Sequence, residues 1–274
     1  MNENIAAHIQ VLAVGSGVRW PALAFAARSV VVGEATRIKL IPHFLEFDQA
    51  VLFRKRLDYE AEVFRWLERE AADRYDAIIE IGANVGVYSV FFDALIKARR
   101  RCRLQTIVSF EPSLEAFRRL LANLEANEAD FVQPFRAAVA DVSGFRNFFE
   151  PRDHLTNGSL IESFAQIFSD DVDRRLVSTH GVADLEFFFG AQQKLLLKLD
   201  VEGYEPELLR ALQEIIIRYR PDLIIEVLPG TPAEVEAMPW ITTYQRYLIA
   251  PGGAQQRSKL TADKQYRDWL LKAA

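Results

Sequence analysis

The sequence of 274 residues contains one cysteine, Cys102, and that scarcity excludes a good deal. A single thiol cannot close an internal disulfide, so no oxidising compartment is required, and a four-cysteine zinc centre is ruled out. Positive charge is not in excess either: 33 Lys and Arg against 38 Asp and Glu leave a formal net charge of −5. Surfaces that track phosphates show as a basic stripe, and without one no nucleic-acid partner is expected. The basic run Arg99, Arg100, Arg101 and Arg103 is local and reads as a solvated helix end. An uninterrupted apolar run of bilayer length is also missing. The stretch from Val11 to Gly33 is broken by Arg19, Pro21 and Arg28, and Met1 to Asn4 lack the positive start of a secretory signal. The expectation is a soluble, cytoplasmic protein with no integral membrane segment. The apolar start leaves a homodimer contact open.

What is present suits a large core: 50% of residues are hydrophobic and 26% charged. Four short runs, Ala77–Ile81, Thr106–Phe110, Leu195–Leu199 and Leu223–Val227, are apolar at nearly every position and bounded by turn residues. Such runs predict strands buried on both faces. A fifth, Phe131–Ala140, carries Pro134 and reads as a strand with an irregular start. Between them lie amphipathic segments: Val87, Tyr88, Phe91, Phe92 and Leu95; then Leu114, Phe117, Leu120, Leu121 and Leu124; then Leu208, Leu209, Leu212, Ile215 and Ile216. Alternation of strand and helix predicts a parallel sheet with right-handed crossovers, a Rossmann-like α/β fold. A helix is expected over Asp58–Ala72, with Val63, Phe64 and Leu67 inward, and a strand over Arg37–Ile41. Arg246–Ala250 reads as a late strand before a turn at Pro251-Gly252-Gly253, and Arg267–Lys272 as a last strand or helix. Residues 1–57 form an N-terminal extension to a domain over 58–274, and 150–192 an insertion of the kind that faces substrate.

The chemistry is most legible in the acids. Glu80 lies near the end of the first strand and Glu111 ends the second; Asp141 follows the third, Asp200 ends the fourth, and Glu226 lies near the end of the fifth. Open α/β sheets bind ligands outside the carboxyl ends of their strands. Carboxylates gathered there repel one another unless hydroxyls, an amine or a cation neutralise them. Any single one can be a helix cap; the set points to a ligand. In Glu80-Ile81-Gly82-Ala83-Asn84-Val85-Gly86, the glycines let the backbone turn sharply and approach that ligand. An acid just before the loop is poorly suited to a pyrophosphate, which wants free amides. It suits a positive amino group, while Glu111 can accept both hydroxyls of a ribose. An adenosyl compound with an ammonium tail fits better than a dinucleotide.

The segments Ile79-Glu80-Ile81-Gly82-Ala83-Asn84-Val85-Gly86-Val87-Tyr88-Ser89, Phe110-Glu111-Pro112 and Leu197-Lys198-Leu199-Asp200-Val201-Glu202-Gly203-Tyr204-Glu205 resemble the FkbM-type methyltransferase family, a likeness spanning 58–230. The resemblance implies a Rossmann-like class I methyltransferase sheet flanked by helices, mostly parallel with one antiparallel strand near the C-terminus. It implies S-adenosylmethionine as cofactor and O-methylation of a small molecule such as a secondary metabolite or sugar. Glu80, Gly82, Ala83, Asn84 and Gly86 would line the methionine part of the cofactor. Glu111, followed by Pro112, would hold the ribose, Ala138 to Asp141 would flank the adenine, and Asp200 would face the reaction centre. Glu80 stands where many relatives have Asp, and the charge is kept.

Methyl transfer to a hydroxyl needs in-line alignment, exclusion of water and, for an aliphatic hydroxyl, a base worth about 10²–10⁴-fold. Asp200, Glu202 and, if burial strips its proton, Lys198 are the candidates. Lys198 could instead be an ion-paired strand residue, and Glu202 the start of the next helix. His154 and His180 in the insertion are further candidate bases, or ordinary surface residues. Asp200-Val201-Glu202-Gly203 lacks the Pro-Pro-aromatic stretch of amino-directed nucleobase enzymes. Glu226-Val227-Leu228-Pro229 lacks the Asp-Asn pair of magnesium-dependent catechol-type enzymes, so no metal is expected. Two other readings stay open. An NAD-dependent oxidoreductase is opposed by Glu80 and by the want of a Gly-x-Gly-x-x-Gly. A non-catalytic adenosyl-binding or assembly module shares the fold, which alone cannot separate it from an enzyme.

Overall fold

Strands that are apolar on both faces need cover on both, and the computed structural model, which describes residues 25–43, 46–152, 154–190 and 193–274, supplies it. A hairpin of β1 (Arg28–Val32) and β2 (Thr36–Leu40) comes first. The main sheet follows with β3 (Ala77–Ile81), β4 (Thr106–Phe110) and β5 (Val132–Phe135). The chain then leaves it to form a smaller sheet from β6 (Ala138–Val139), β7 (Gly144–Pro151) and β8 (Val172–His180). It returns with β9 (Leu195–Leu199), β10 (Asp222–Glu226), β11 (Tyr244–Ala250), β12 (Gly253–Arg257) and β13 (Asp268–Ala273). The eight main strands lie in the order β12-β11-β13-β10-β9-β3-β4-β5.

Side chains along each core strand alternate between two apolar clusters. Ile78, Ile107, Leu196 and Ile224 face one, with Phe64 and Phe91. Ile79, Val108, Leu197 and Ile225 face the other, with Leu208 and Ile216. Helices α1 (Ala61–Arg74), α2 (Val87–Lys97) and α3 (Leu114–Ala126) serve the first face; α4 (Glu205–Ala211) and α5 (Gln213–Tyr219) serve the second. Val63, Phe64 and Leu67 point inward as expected. On α3, Leu120 and Leu124 are buried, but Leu114 and Leu121 face out, because the inward stripe runs through Ala116, Arg119 and Asn123. The β1–β2 hairpin joins the first cluster through Val30, Val32, Ile38 and Leu40. Its turn is held by Glu68 of α1, whose carboxylate accepts Ala35 N at 3.1 Å and Thr36 N at 2.7 Å.

Three local expectations change in the structure. Phe131–Ala140 is not one strand: Val132–Phe135 pairs with β4, and Ala138–Val139 pairs with β8 in the other sheet. Pro134 is accommodated because β5 is the edge of the main sheet. The excursion from the main sheet, expected over 150–192, starts earlier, since β7 begins at Gly144 and pairs with β8 along its whole length. The helical stripe Leu208–Ile216 is split into two helices at Leu212, whose φ of −81° and ψ of 2° leave the helical region. Near the C-terminus, β13 runs antiparallel to both β10 and β11, and β12 adds a second antiparallel pairing at the edge. Among the described residues no helix is long and apolar enough to cross a membrane. Residues 1–24, which carry most of the apolar start behind the homodimer expectation, lie outside the described residues.

The base of the sheet is tied at Asp222, which is fully buried. Its carboxylate accepts Lys194 Nζ at 2.7 Å, Tyr75 Oη at 3.0 Å and the Ala273 amide at 3.0 Å, joining β10, β13 and the entries to β3 and β9. Asp222→Ala is expected to cost about 3 kcal/mol in chemical denaturation, the low end for a broken buried pair, because Lys194 can turn to water. A loss under about 1 kcal/mol would show that the junction contributes little.

Candidate active site

In-register pairing fixes the centre of the site. Glu80 on β3 lies opposite Ser109 on β4 and Lys198 on β9, all on the face covered by α2. Glu80 Oε2 accepts Ser89 Oγ at 2.6 Å and Ser109 Oγ at 3.1 Å, while its Oε1 is buried without a partner. Burial pushes the Glu80 carboxyl up to about 7, against the pull of Lys198 and the two hydroxyls. Lys198 donates to Asp200 Oδ2 at 2.9 Å and lies 4.2 Å from the ring centre of Tyr88, whose hydroxyl bonds Glu60. Burial alone would lower Lys198; Asp200, Glu60 and Glu80 more than reverse it. The acids around Lys198 thus favour its ammonium form over the loss of a proton that a base role would need.

The turns after β3 and β9 are locked together. Asp200 N donates to the Ile81 carbonyl at 3.0 Å. A Cβ on Gly82, whose φ is +88°, would stand 1.7 Å from the Asp200 carbonyl oxygen. A Cβ on Gly86 would stand 2.2 Å from Leu120 Cδ1. Both glycines make room for the protein itself, where the sequence suggested room for a ligand. The bend brings Asn84 N to 2.8 Å from Glu111 Oε2, and Ser113 N lies 2.7 Å from Glu111 Oε1. Burial raises Glu111 to about 7 despite those two amides.

These turns open onto a cavity of about 1040 Å³. Ala137, Ala138, Val139 and Phe148 give it an apolar flank, and Leu160, Phe164, Ile167 and Phe168 another. Its charge is one-sided: Asp58, Glu60, Glu62, Glu111, Asp200, Glu202, Glu226 and Asp268 line it against Lys264 and Arg267. Glu226 and Asp268 lie directly opposite each other across β10 and β13. Burial, then repulsion from Asp200, raises Glu226 to about 7; burial and repulsion from Glu60 raise Asp268 well above the carboxylate range. Glu202 has a left-handed φ of 53°, and its carbonyl accepts Ser159 Oγ at 2.7 Å, which pins the 155–168 segment across the β9 turn. Burial and the nearby Asp200, Glu226 and Glu205 hold its carboxyl well above the usual range.

Of the residues singled out in the sequence, Gly82, Asn84, Glu111, Pro112, Ala138, Asp200 and Glu202 line this one cavity. Glu80, Ala83, Gly86 and Lys198 are buried or half-buried beside it without reaching its wall. Asp141, expected beside the adenine, is apart: it is largely exposed, ion-paired with Arg146, and does not line the cavity. His154 packs near Phe168, and His180 lies between Phe110 and Phe135 with Asp184 at 3.5 Å; neither lines the cavity. Tyr59, Glu60 and Asp268 went unnoticed in the sequence. Tyr59-Glu60 fell inside the helix expected over 58–72, whereas the helix begins at Ala61, and nothing local shows that the pair turns toward a strand end 140 residues away.

The family model described as the methyltransferase FkbM domain matches residues 80–269. The chain belongs to the FkbM-domain methyltransferase family. Among solved structures, an FkbM methyltransferase from Methylobacillus flagellatus KT is 14% identical, with a TM-score of 0.43, covering 72% of this chain and 43% of that one. An rRNA methylase from Streptococcus thermophilus is 10% identical, with a TM-score of 0.43, covering 77% and 93%. TYW2 of M. jannaschii, solved in complex with AdoMet, is 11% identical, with a TM-score of 0.40, covering 92% and 90%. No curated protein matches the sequence.

In this FkbM-domain chain the buried acids set an unusual pH dependence. Glu80 and Glu111 ionise near 4.5 when unfolded and near 7 when folded. Between those values the folded state holds more protons, so stability falls as pH rises and levels off above about 7. The melting temperature of the ligand-free protein is expected to drop steadily from pH 5 to pH 7.5 in differential scanning fluorimetry. A rise over that interval would contradict the burial of these two carboxyls.

Proposed function

We propose that the chain transfers a methyl group from S-adenosylmethionine to an oxygen of a small hydroxylated acceptor. The observation that carries this reading is the placement of Glu111 and Asp200 on one cavity wall, with the apolar Ala137–Val139 flank beside Glu111. The residues fit the cofactor. Each Glu111 oxygen accepts one amide and has a lone pair left for a ribose hydroxyl. Asn84 is on the wall with its Oδ1 buried and without a donor, which an ammonium group would provide. Ala138 and Val139 offer an apolar surface to a base. When bound, the sulfonium supplies an activated methyl, leaving alignment and dryness to the protein.

Within this reading Asp200 is the base. Lys198 fixes one of its oxygens at 2.9 Å and leaves the other to take the acceptor's proton. Glu202 lines the same cavity and in this reading hydrogen-bonds the acceptor. Phe164, Ile167 and Phe168 exclude water from the acceptor side. We take the methyltransferase domain to span 58–274, with the preceding hairpin as an extension that completes one core face.

S-adenosylhomocysteine at about 100 times its dissociation constant should stabilise the protein by roughly 2.7 kcal/mol, and NAD should not. Glu111→Ala should weaken S-adenosylhomocysteine binding at least tenfold in calorimetry. It should also cost about 1–3 kcal/mol of stability, because two amides lose their acceptor. Unchanged affinity would reduce Glu111 to a tie between loops. Asp200→Asn should lower labelled-methyl transfer to a panel of hydroxylated metabolites by about 10²-fold or more, with a much smaller change in cofactor affinity. The reverse ratio would remove Asp200 from the chemistry.

A further inference from the structure

We propose that Asp200, Glu205 and Glu226 bind one hard divalent cation of the magnesium, manganese or calcium class between the turns that follow β9 and β10. One carboxylate oxygen from each lies within 4.8 Å of the other two. Two oxygens on a single ion cannot be farther apart than twice the bond length, about 4.2 Å for magnesium and about 4.6–5.2 Å for calcium. A spacing within 4.8 Å lets the three groups share one ion after a short closure, smallest for calcium, whose bonds are longest. All three donors are carboxylates, which selects hard cations over zinc or copper.

The second observation is Glu205 itself. It is fully buried, and its Oε1 accepts the Val201 amide at 2.8 Å. Its Oε2 is buried and has no hydrogen-bond partner among the described residues. A position in the first turn of α4 explains the Val201 contact but leaves that second oxygen unaccounted for, and orphaned buried polar atoms are rare enough to require a partner. Glu205 does not line the cavity, whereas Asp200 and Glu226 do, so an ion entering from the cavity meets these two first and the buried oxygen last.

The surrounding charge agrees. Glu60, Glu202 and Asp268 add acids on the same side. The cations already there include Lys198, which occupies one oxygen of Asp200, Arg267, 3.4 Å from Glu226, and Lys264 on the cavity wall. A bound ion would take the Asp200 oxygen that Lys198 leaves, the one given above to the acceptor's proton, so the two roles compete for it. The sequence expectation of no metal rested on the missing Asp-Asn pair after β10; the fold supplies the third carboxylate from the start of α4. Cation binding is measured without methyl transfer, so its failure leaves the methyltransferase reading standing.

The test is Mn²⁺ binding to the full chain after dialysis against EDTA, followed by electron paramagnetic resonance and calorimetry. One ion per chain is expected, with a dissociation constant below about 1 mM, displaceable by Ca²⁺ or Mg²⁺. Glu205→Gln should weaken it at least tenfold, and Glu226→Gln provides the same reading from a half-buried position if the first variant folds poorly in EDTA. The proposal is overturned if the wild-type chain shows no saturable Mn²⁺ binding. Binding left unchanged by both variants also overturns it. So does a melt that rises with glucosamine or spermidine but with none of the metals, which would assign the acidic wall to an organic ammonium group.

Discussion

The site depends on one backbone contact, the seating of the Asp200 carbonyl against Gly82 with the Asp200 amide on Ile81. That contact holds the ends of two neighbouring parallel strands at a separation no side chain would permit. From it follow the sharp bend at Asn84, the capture of Glu111 by the Asn84 amide, and the reach of Lys198 to Asp200. A sheet of this kind brings strand ends together in any case. Here the missing Cβ converts nearness into a fixed register between the two halves of the cavity.

The second constraint is electrostatic. Burying carboxylates is unfavourable unless each finds donors or a counter-charge. The protein answers in graded ways. Glu111 has two amides and Glu80 two hydroxyls, Asp200 has Lys198, and Glu205 has one amide for two oxygens. The deficit grows from β4 toward β13, where Glu226 faces Asp268 with Arg267 as the nearby cation. The end of the cavity at Glu111 is close to balanced, and the end at Glu226 and Asp268 is short of positive charge.

Much of this was legible in the sequence, because the core strands are short, apolar throughout and end in acids. Period and position sufficed to identify β3, β4, β9 and β10 and to gather Glu111, Asp200 and Glu226 at one end. What escaped were features decided by contacts between distant segments. The glycine loop looked like a ligand cradle, yet its glycines are explained by Asp200 and Leu120. Lys198 looked able to lose its proton, until Glu60 arrived from before α1 and Glu80 from the next strand. Asp141 followed a strand as the other acids do, but that strand had already left the main sheet. β7 and β8 carry mixed side chains, because one face of the small sheet meets the cavity and the other meets solvent.

The split of the fifth apolar run has a mechanical consequence. Val132–Phe135 is stitched to the main sheet, and Ala138–Val139 to the small one, with only Arg136 and Ala137 between them. Those two residues are the covalent link between the main sheet and the three-stranded sheet that lends Ala138, Val139 and Phe148 to the cavity. A shift of the small sheet about this link would move those apolar side chains relative to Glu111 and Asp200, which stand at the ends of main-sheet strands.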